Sequence, residues 1–360
     1  MRLSVVDVGS NTVRLVVVDA EGGAPLPVHT AKYRLRLSQQ VEQDGRLGPG
    51  SVEQVVEAVA AARAEAQRWG AAEPFVFATA VVRDAPNRPD ILKAVREGAG
   101  VGLCVLPGEV EAEATFLAAR RWMGFRSGPL AVLDIGGGSL EVAFGRGRLP
   151  DFAASLPLGA GRLTREHFAE QDPPPPAVIK SVRRQIRHQL RDVAARVRWE
   201  APHTVVATSR TFQQLARLGG AVPGRQGPFA ERQLTRATLK RDLKKLAQLT
   251  VAQRAQLPGI SSARAGQSLA GALVAHTAMK LMSIEAVTIC PWAIREGILL
   301  RHVEDGGAWW DQAAFPNADS APRGVTLRLA TPGSRPERER RRSGAADEGG
   351  ASRAQAGPCR

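Results

Sequence analysis

Two short loops, each opened by an aspartate and rich in glycine, stand between apolar runs. They are Asp7-Val8-Gly9-Ser10-Asn11-Thr12 and Asp134-Ile135-Gly136-Gly137-Gly138-Ser139. A tight turn of this kind points backbone N–H groups into a concavity, and glycine lets an anion approach the main chain. An aspartate at the mouth suits a hydrated hard cation such as Mg²⁺. Two such loops in corresponding places point to a cleft that grips a phosphate chain from both sides. Arg83 follows the apolar run Phe75–Thr79, near the strand edge where α/β sheets bind ligands. A guanidinium there can clamp a phosphate with paired hydrogen bonds; the alternative is a surface arginine paired with Asp84 or Asp90. Farther on, Pro107-Gly108-Glu109-Val110-Glu111-Ala112-Glu113 opens a helix. Acids suit a helix start through the dipole alone. Glu109 and Glu113, however, share one face while Glu111 points elsewhere, so one carboxylate is free to face a cleft and activate a water.

These residues need elements to hold them. Leu3–Ala20 reads as a hairpin around the first loop, Val28–Leu37 as a third strand, and Val52–Trp69 as a helix ended by Gly70. A strand at Phe75–Thr79, a helix from Asp90, a strand at Val101–Leu106 and a helix at Glu109–Trp122 complete a first domain, 1–125. The pattern then restarts with a hairpin at Leu130–Phe144 and a strand at Asp151–Leu158. Ile179, Val182, Ile186, Leu190, Val193 and Val197 form one helical stripe. Strands at Thr204–Ala207 and Ala286–Ile289 alternate with helices at Thr211–Leu218, Ser262–Leu281 and Ile294–Val303, completing a second domain, 126–303. Strands alternating with helices in both halves predict two α/β domains related by duplication, with a cleft between them. The remainder, 304–360, is rich in Arg, Gly and Pro and reads as a disordered tail; Trp309-Trp310 is either packed on the body or a docking patch.

Net charge is +14. Ala177–Arg198 and Arg232–Arg254 each carry seven Lys or Arg against one acid, which implies a polyanionic partner steered by these helices or simply solvated helix faces. Cys104, Cys290 and Cys359 lack metal-ligand spacing. No apolar run is long enough to span a bilayer, and the start runs directly into a strand without a leader, so a cytoplasmic protein with no membrane partner is expected.

Taken together, DVGSNTVRL (7–15), ATAVVRDAPN (78–87), PGEVEAEATF (107–116), LDIGGGSLEV (133–142), LPLGAGRLT (156–164) and WAIREGIL (292–299) resemble the Ppx/GppA family of exopolyphosphatases and guanosine-pentaphosphate phosphohydrolases. The resemblance spans about residues 2–303 and is strongest to the short actinobacterial exopolyphosphatases. It implies the actin-like, ribonuclease H-like fold. It implies Glu111 as the general base toward water, with Arg83 neutralising charge on the reacting phosphoryl group. Gly9, Ser10 and Asn11 would hold one phosphate, and Gly136, Gly137, Gly138 and Ser139 the next. Asp7, Asp134 and Glu141 would hold Mg²⁺, or Mn²⁺. The implied activity is release of terminal orthophosphate from inorganic polyphosphate, by a homodimer with no specific nucleic-acid partner. The alternatives are hydrolysis of pppGpp and a catalytically weak sensor of polyphosphate or of pppGpp/ppGpp. Three positions depart from the family pattern. Val110 replaces a glutamate, Glu113 an arginine, and Arg210 a glycine of the nucleoside-side motif, which favours a bare, short polyphosphate.

Overall fold

The computed structural model describes residues 2–20, 25–124, 127–306, 309–310 and 328–329. The first elements are β1 (Arg2–Val8), β2 (Thr12–Asp19), β3 (Pro27–Arg34), α1 (Pro49–Arg68), β4 (Phe75–Ala78), α2 (Ala80–Arg83), α3 (Arg88–Ala99), β5 (Cys104–Val105) and α4 (Gly108–Met123). Next come β6 (Leu130–Ile135), β7 (Leu140–Gly145), β8 (Phe152–Leu156), α5 (Ala160–His167), α6 (Pro176–Glu200), β9 (Thr204–Ala207), α7 (Ser209–Leu218) and β10 (Gln233–Thr235). The last are α8 (Arg236–Gln248), α9 (Val251–Arg254), α10 (Ala265–Leu281), β11 (Ala286–Ile289), α11 (Ile294–Asp305) and β12 (Arg328–Leu329).

The strands build two sheets, β3-β2-β1-β4-β5 and β10-β11-β9-β6-β7-β8-β12. The first order recurs inside the second as β8-β7-β6-β9-β11, with the same senses: an antiparallel meander of three strands, then two parallel additions. The duplication read from the sequence is therefore present in the topology, and the two-sheet α/β architecture is as expected.

Alternation along each strand fixes its two faces. In the first sheet Val6, Val8, Val13, Leu15 and Val17 face α1 and α3, while Leu3, Val5, Val16 and Val18 face the opposite way. That second face is covered by Val110 and Ala114 of α4, Ile298 and Leu299 of α11, and the Trp309-Trp310 pair. In the second sheet Leu130, Val132, Ala143 and Ala153 meet Ala112, Phe116, Leu117 and Ala119 of α4 and Leu300 of α11. Helices α4 and α11 thus lie between the sheets, which is why α4 is apolar on nearly every side. The stripe of α6 packs with α10 on the far face of the second sheet.

Several boundaries differ from expectation. β5 is only two residues long. Helices α2 and α5 and strand β10 were not anticipated, because elements this short show no resolvable periodicity. Part of the tail read as disordered is ordered: Trp310 packs edge-on against Phe75, and β12 pairs with β8. The rest of the tail lies outside the described residues.

Candidate active site

The two loops form the same turn. Gly9 N–H donates to Thr12 O at 3.0 Å, and Gly136 N–H to Ser139 O at 2.9 Å. A Cβ on either glycine would stand 3.4 Å from that same carbonyl. The loops also touch each other: a Cβ on Gly137 would lie 2.5 Å from Ser10 Cβ, and one on Gly138 would lie 2.6 Å from Ala80 Cβ. Larger residues here would wedge the halves apart. Asn11 is held by Ser38 Oγ, which donates to its Oδ1 at 3.2 Å, and Gln267 of α10 donates to Ser38 Oγ at 3.1 Å.

Duplication also sets the acids. Asp7 and Asp134 occupy equivalent places on β1 and β6, but their cross-strand partners differ: Arg14 faces Asp7, and Glu141 faces Asp134. One wall of the cleft therefore carries a cation where the other carries a second carboxylate. Thr208 Oγ1 donates to Asp134 Oδ2 at 2.6 Å, and Ser155 Oγ to Glu141 Oε1 at 2.9 Å. Glu111, on the first turn of α4, is buried and ion-paired with Arg83 Nη1, which also donates to Leu106 O at 3.1 Å. Gly108 lets α4 start against β8, because a Cβ there would meet Ser155 Cβ at 2.3 Å. Asp7 Oδ2 accepts from Arg295 Nη1 of α11 at 2.8 Å.

Burial dominates the electrostatics of these acids. It pushes Glu141 up to about 7, with Asp134's charge adding, against hydrogen bonds from Ser139 and Ser155 and the charge of Arg83. Burial likewise raises Glu111 well above the usual carboxylate range; Arg83 opposes this, and Glu141 and Asp7 reinforce it. Asp134 is raised by burial, opposed by Thr208. Buried acids that repel one another are a donor set that fits a hard divalent cation. Among the described residues no three His, Cys, Asp or Glu side chains converge as a cage. Asp134 and Glu141, with Asp7, line one cavity and would suit Mg²⁺, which is commonly held by one or two carboxylates, waters and substrate oxygens.

A cavity of about 410 Å³ joins the two turns and the acids, and Arg14, Lys32, Arg34, Arg36, Arg210 and Arg264 line it as well. Among the described residues none of these six has an acid at ion-pair distance. They act on one another instead. Arg264 is pushed down to about 10, by burial first and then by Arg210 and Arg14, and remains charged at neutral pH. Lys32 is lowered by burial and then by Arg14, Arg34, Arg210 and Arg264. Lys32, Arg34 and Arg210 are exposed, whereas Glu111 and Glu141 are buried and Asp7 and Asp134 half-buried, so these three cations stand at the mouth and the carboxylates form the floor. Two non-glycine residues with left-handed backbone, Arg36 (φ 58°) and Ser209 (φ 70°), also line the cavity.

The profile of the Ppx/GppA phosphatase family matches residues 16–305. This chain belongs to that family. Exopolyphosphatase 1 of Mycobacterium tuberculosis is 45% identical over 84% of this chain and 89% of its own. An uncharacterised protein of Streptomyces coelicolor is 65% identical over 92% of this chain and 99% of its own. Among solved structures, an exopolyphosphatase from Cytophaga hutchinsonii shares the fold with a TM-score of 0.77 at 20% identity, over 85% of this chain and 99% of that one. The Ppx/GppA family member of Aquifex aeolicus aligns with a TM-score of 0.72 at 24% identity, over 85% and 98%.

As a Ppx/GppA protein the chain brings Asp7, Gly9, Ser10, Asn11, Glu111, Asp134, Gly136, Gly137, Gly138, Ser139 and Glu141 to one cavity, with Arg83 reaching it through Glu111. Two departures from the family pattern fall outside the lining: Val110 packs on the first sheet, and Glu113 pairs with Arg301 of α11 at 3.3 Å. Arg210 does line the cavity. The basic stretches of α6 and α8, expected to steer a polyanion, contribute no lining residue; the cations come from β2, β3, α7 and the turn before α10. Sequence reading also passed over Arg295 and Arg14. Arg14 had a local signal, its mirror position to Asp7 across the hairpin; Arg295 had none.

Proposed function

We propose that this protein is an exopolyphosphatase that removes terminal orthophosphate from inorganic polyphosphate. The observation that carries the reading is the group of six cations, Arg14, Lys32, Arg34, Arg36, Arg210 and Arg264, in a cavity floored by phosphate turns and carboxylates. Such a group attracts a chain of negative charges, and the name of the mycobacterial relative agrees. The terminal phosphoryl group is held by Gly9, Ser10 and Asn11 on one side and by Gly136 to Ser139 on the other. Glu111 takes the proton of a water whose oxygen attacks the terminal phosphorus, and the bridging P–O bond breaks toward the shortened chain. Arg83 opposes the burial that raises Glu111, and it lies ready to meet charge on the phosphoryl oxygens. Asp134 and Glu141, with Asp7, would hold Mg²⁺, which when bound neutralises charge on the phosphate oxygens.

The position of Val110 and Glu113 away from the lining favours turnover over a sensor that binds without cleaving. The deciding assay supplies Mg²⁺ with short polyphosphate, long polyphosphate, pppGpp or ATP and measures released phosphate. Release from polyphosphate is expected. Preference for pppGpp replaces this reading, and tight polyphosphate binding without release replaces it with the sensor. Glu111→Gln is expected to lower turnover by at least ~10²-fold while sparing polyphosphate binding; wild-type turnover in that variant would mean the base lies elsewhere.

A further inference from the structure

A second cavity, of about 170 Å³, lies behind the phosphate turns. It shares Ser10, Ala80, Gly137 and Gly138 with the front cavity. These four residues are the partition between the two spaces. They are also the places where the halves touch, Gly137 on Ser10 and Gly138 on Ala80. Every side chain of the partition is small, so a slight separation of the loops opens one cavity to the other.

The rear cavity is cationic and closed by a tie. Arg162 of α5 is ion-paired with Asp84, which follows α2, so the pair joins the two halves across the cavity. The backbone N–H of Arg162 donates to Gly137 O at 2.9 Å, linking the tie to the partition. Arg162 Nε is buried without a hydrogen-bond partner. Arg165 lines the same space, with only a 3.9 Å contact to Glu166.

We propose that this rear cavity is a binding site for the orthophosphate product and its way out, with Asp84–Arg162 as the tie that closes it. The inference rests on the exopolyphosphatase reading above. In that reaction orthophosphate forms at the turns, while the shortened chain still fills the front cavity and repels it. The rear cavity is the other opening against the same four residues. At about 170 Å³, against ~30 Å³ per water in the liquid, it has room for a five-atom anion and its first waters. Arg162 exchanges Asp84 for phosphate and offers Nε as a further donor. Product then leaves without the chain letting go, and successive phosphates are removed in one encounter.

Two variants test this without touching the front cavity: the double variant Arg162→Gln/Arg165→Gln, and Val41→Trp, which fills the rear space. With polyphosphate and Mg²⁺, both are expected to cleave at the wild-type rate in a single turnover. Steady-state release by Val41→Trp should be at least ~3-fold slower, because product exit limits it, while loss of the tie in the double variant makes release faster. By equilibrium dialysis, inorganic phosphate alone should bind the double variant at least ~3-fold more weakly than wild type at the rear site. The proposal is overturned if single-turnover and steady-state rates move together in both variants, or if phosphate binding is unchanged. Failure of the wild-type protein to release phosphate from polyphosphate would instead overturn the exopolyphosphatase reading, and dialysis would still decide the rear site.

Discussion

Glu141 shows how much one buried side chain sets the behaviour of this site. Burial and the neighbouring charge of Asp134 lift its carboxyl to about 7, from an ordinary value of 4.5. A carboxyl raised in the folded state binds more protons there than in the unfolded chain. Its stabilising contribution is therefore complete below pH 4.5 and lost as pH rises through 7. In divalent-free buffer, the Tm of wild type relative to Glu141→Gln should fall between those pH values and level off above them; a constant difference would mean that folding leaves the Glu141 carboxyl unshifted. If Mg²⁺ takes this carboxylate, its binding displaces the proton, and affinity rises with pH over the same range. Asp7, Asp134 and the glycines were legible because their chemistry is local: an aspartate, a turn and two flanking strands. The ion pair of Asp7 with Arg295, 288 residues away, was not, because nothing near either residue specifies the other.

The elements that matter most are α4 and α11. They cross so closely that a Cβ on Gly297 would lie 1.8 Å from the Ala114 carbonyl oxygen. Gly297→Ala forces the helices apart and should cost roughly 1–3 kcal/mol, the scale of overpacking a tight core; chemical denaturation at constant m-value measures it. Because α4 carries Glu111 and α11 carries Arg295, the same change should lower turnover more than substrate affinity. Unchanged stability would show that the crossing relaxes freely. The long periodic elements α1, α6 and α10 were readable from sequence, since their stripes or apolar runs are extended. What the pattern of α4 did not convey was its placement: a helix apolar on all sides reads simply as buried, and the sheet order decides what buries it.

At the scale of the molecule, charge distribution separates two kinds of basic residue. Those on α6, such as Arg184 and Arg187, are exposed and lie away from the cavity. Those at the mouth gather from both halves, and among the described residues none is ion-paired with an acid. Polyphosphate affinity should fall steeply with salt, as the screening length shrinks from ~10 Å at 0.1 M to ~3 Å at 1 M. Arg264→Gln should weaken binding by about tenfold, the loss of one charge-assisted contact. The pair Arg184→Gln and Arg187→Gln should leave binding unchanged, and equal losses in both sets would move the binding surface to α6. Composition alone counted more charge on the helices than at the mouth, because the mouth is assembled from single residues spread along the chain.

The position of α11 also sets the timing of assembly. Leu3 and Val5 belong to β1, yet α11, one of the helices that cover them, is made only after β1 to β11. Until then Asp7 lacks Arg295, and the inner face of the first sheet has α4 but not α11 to cover it. A half-made chain can hold both phosphate turns and still lack a finished floor between them. The floor that holds Asp7 is thus finished only when α11 is.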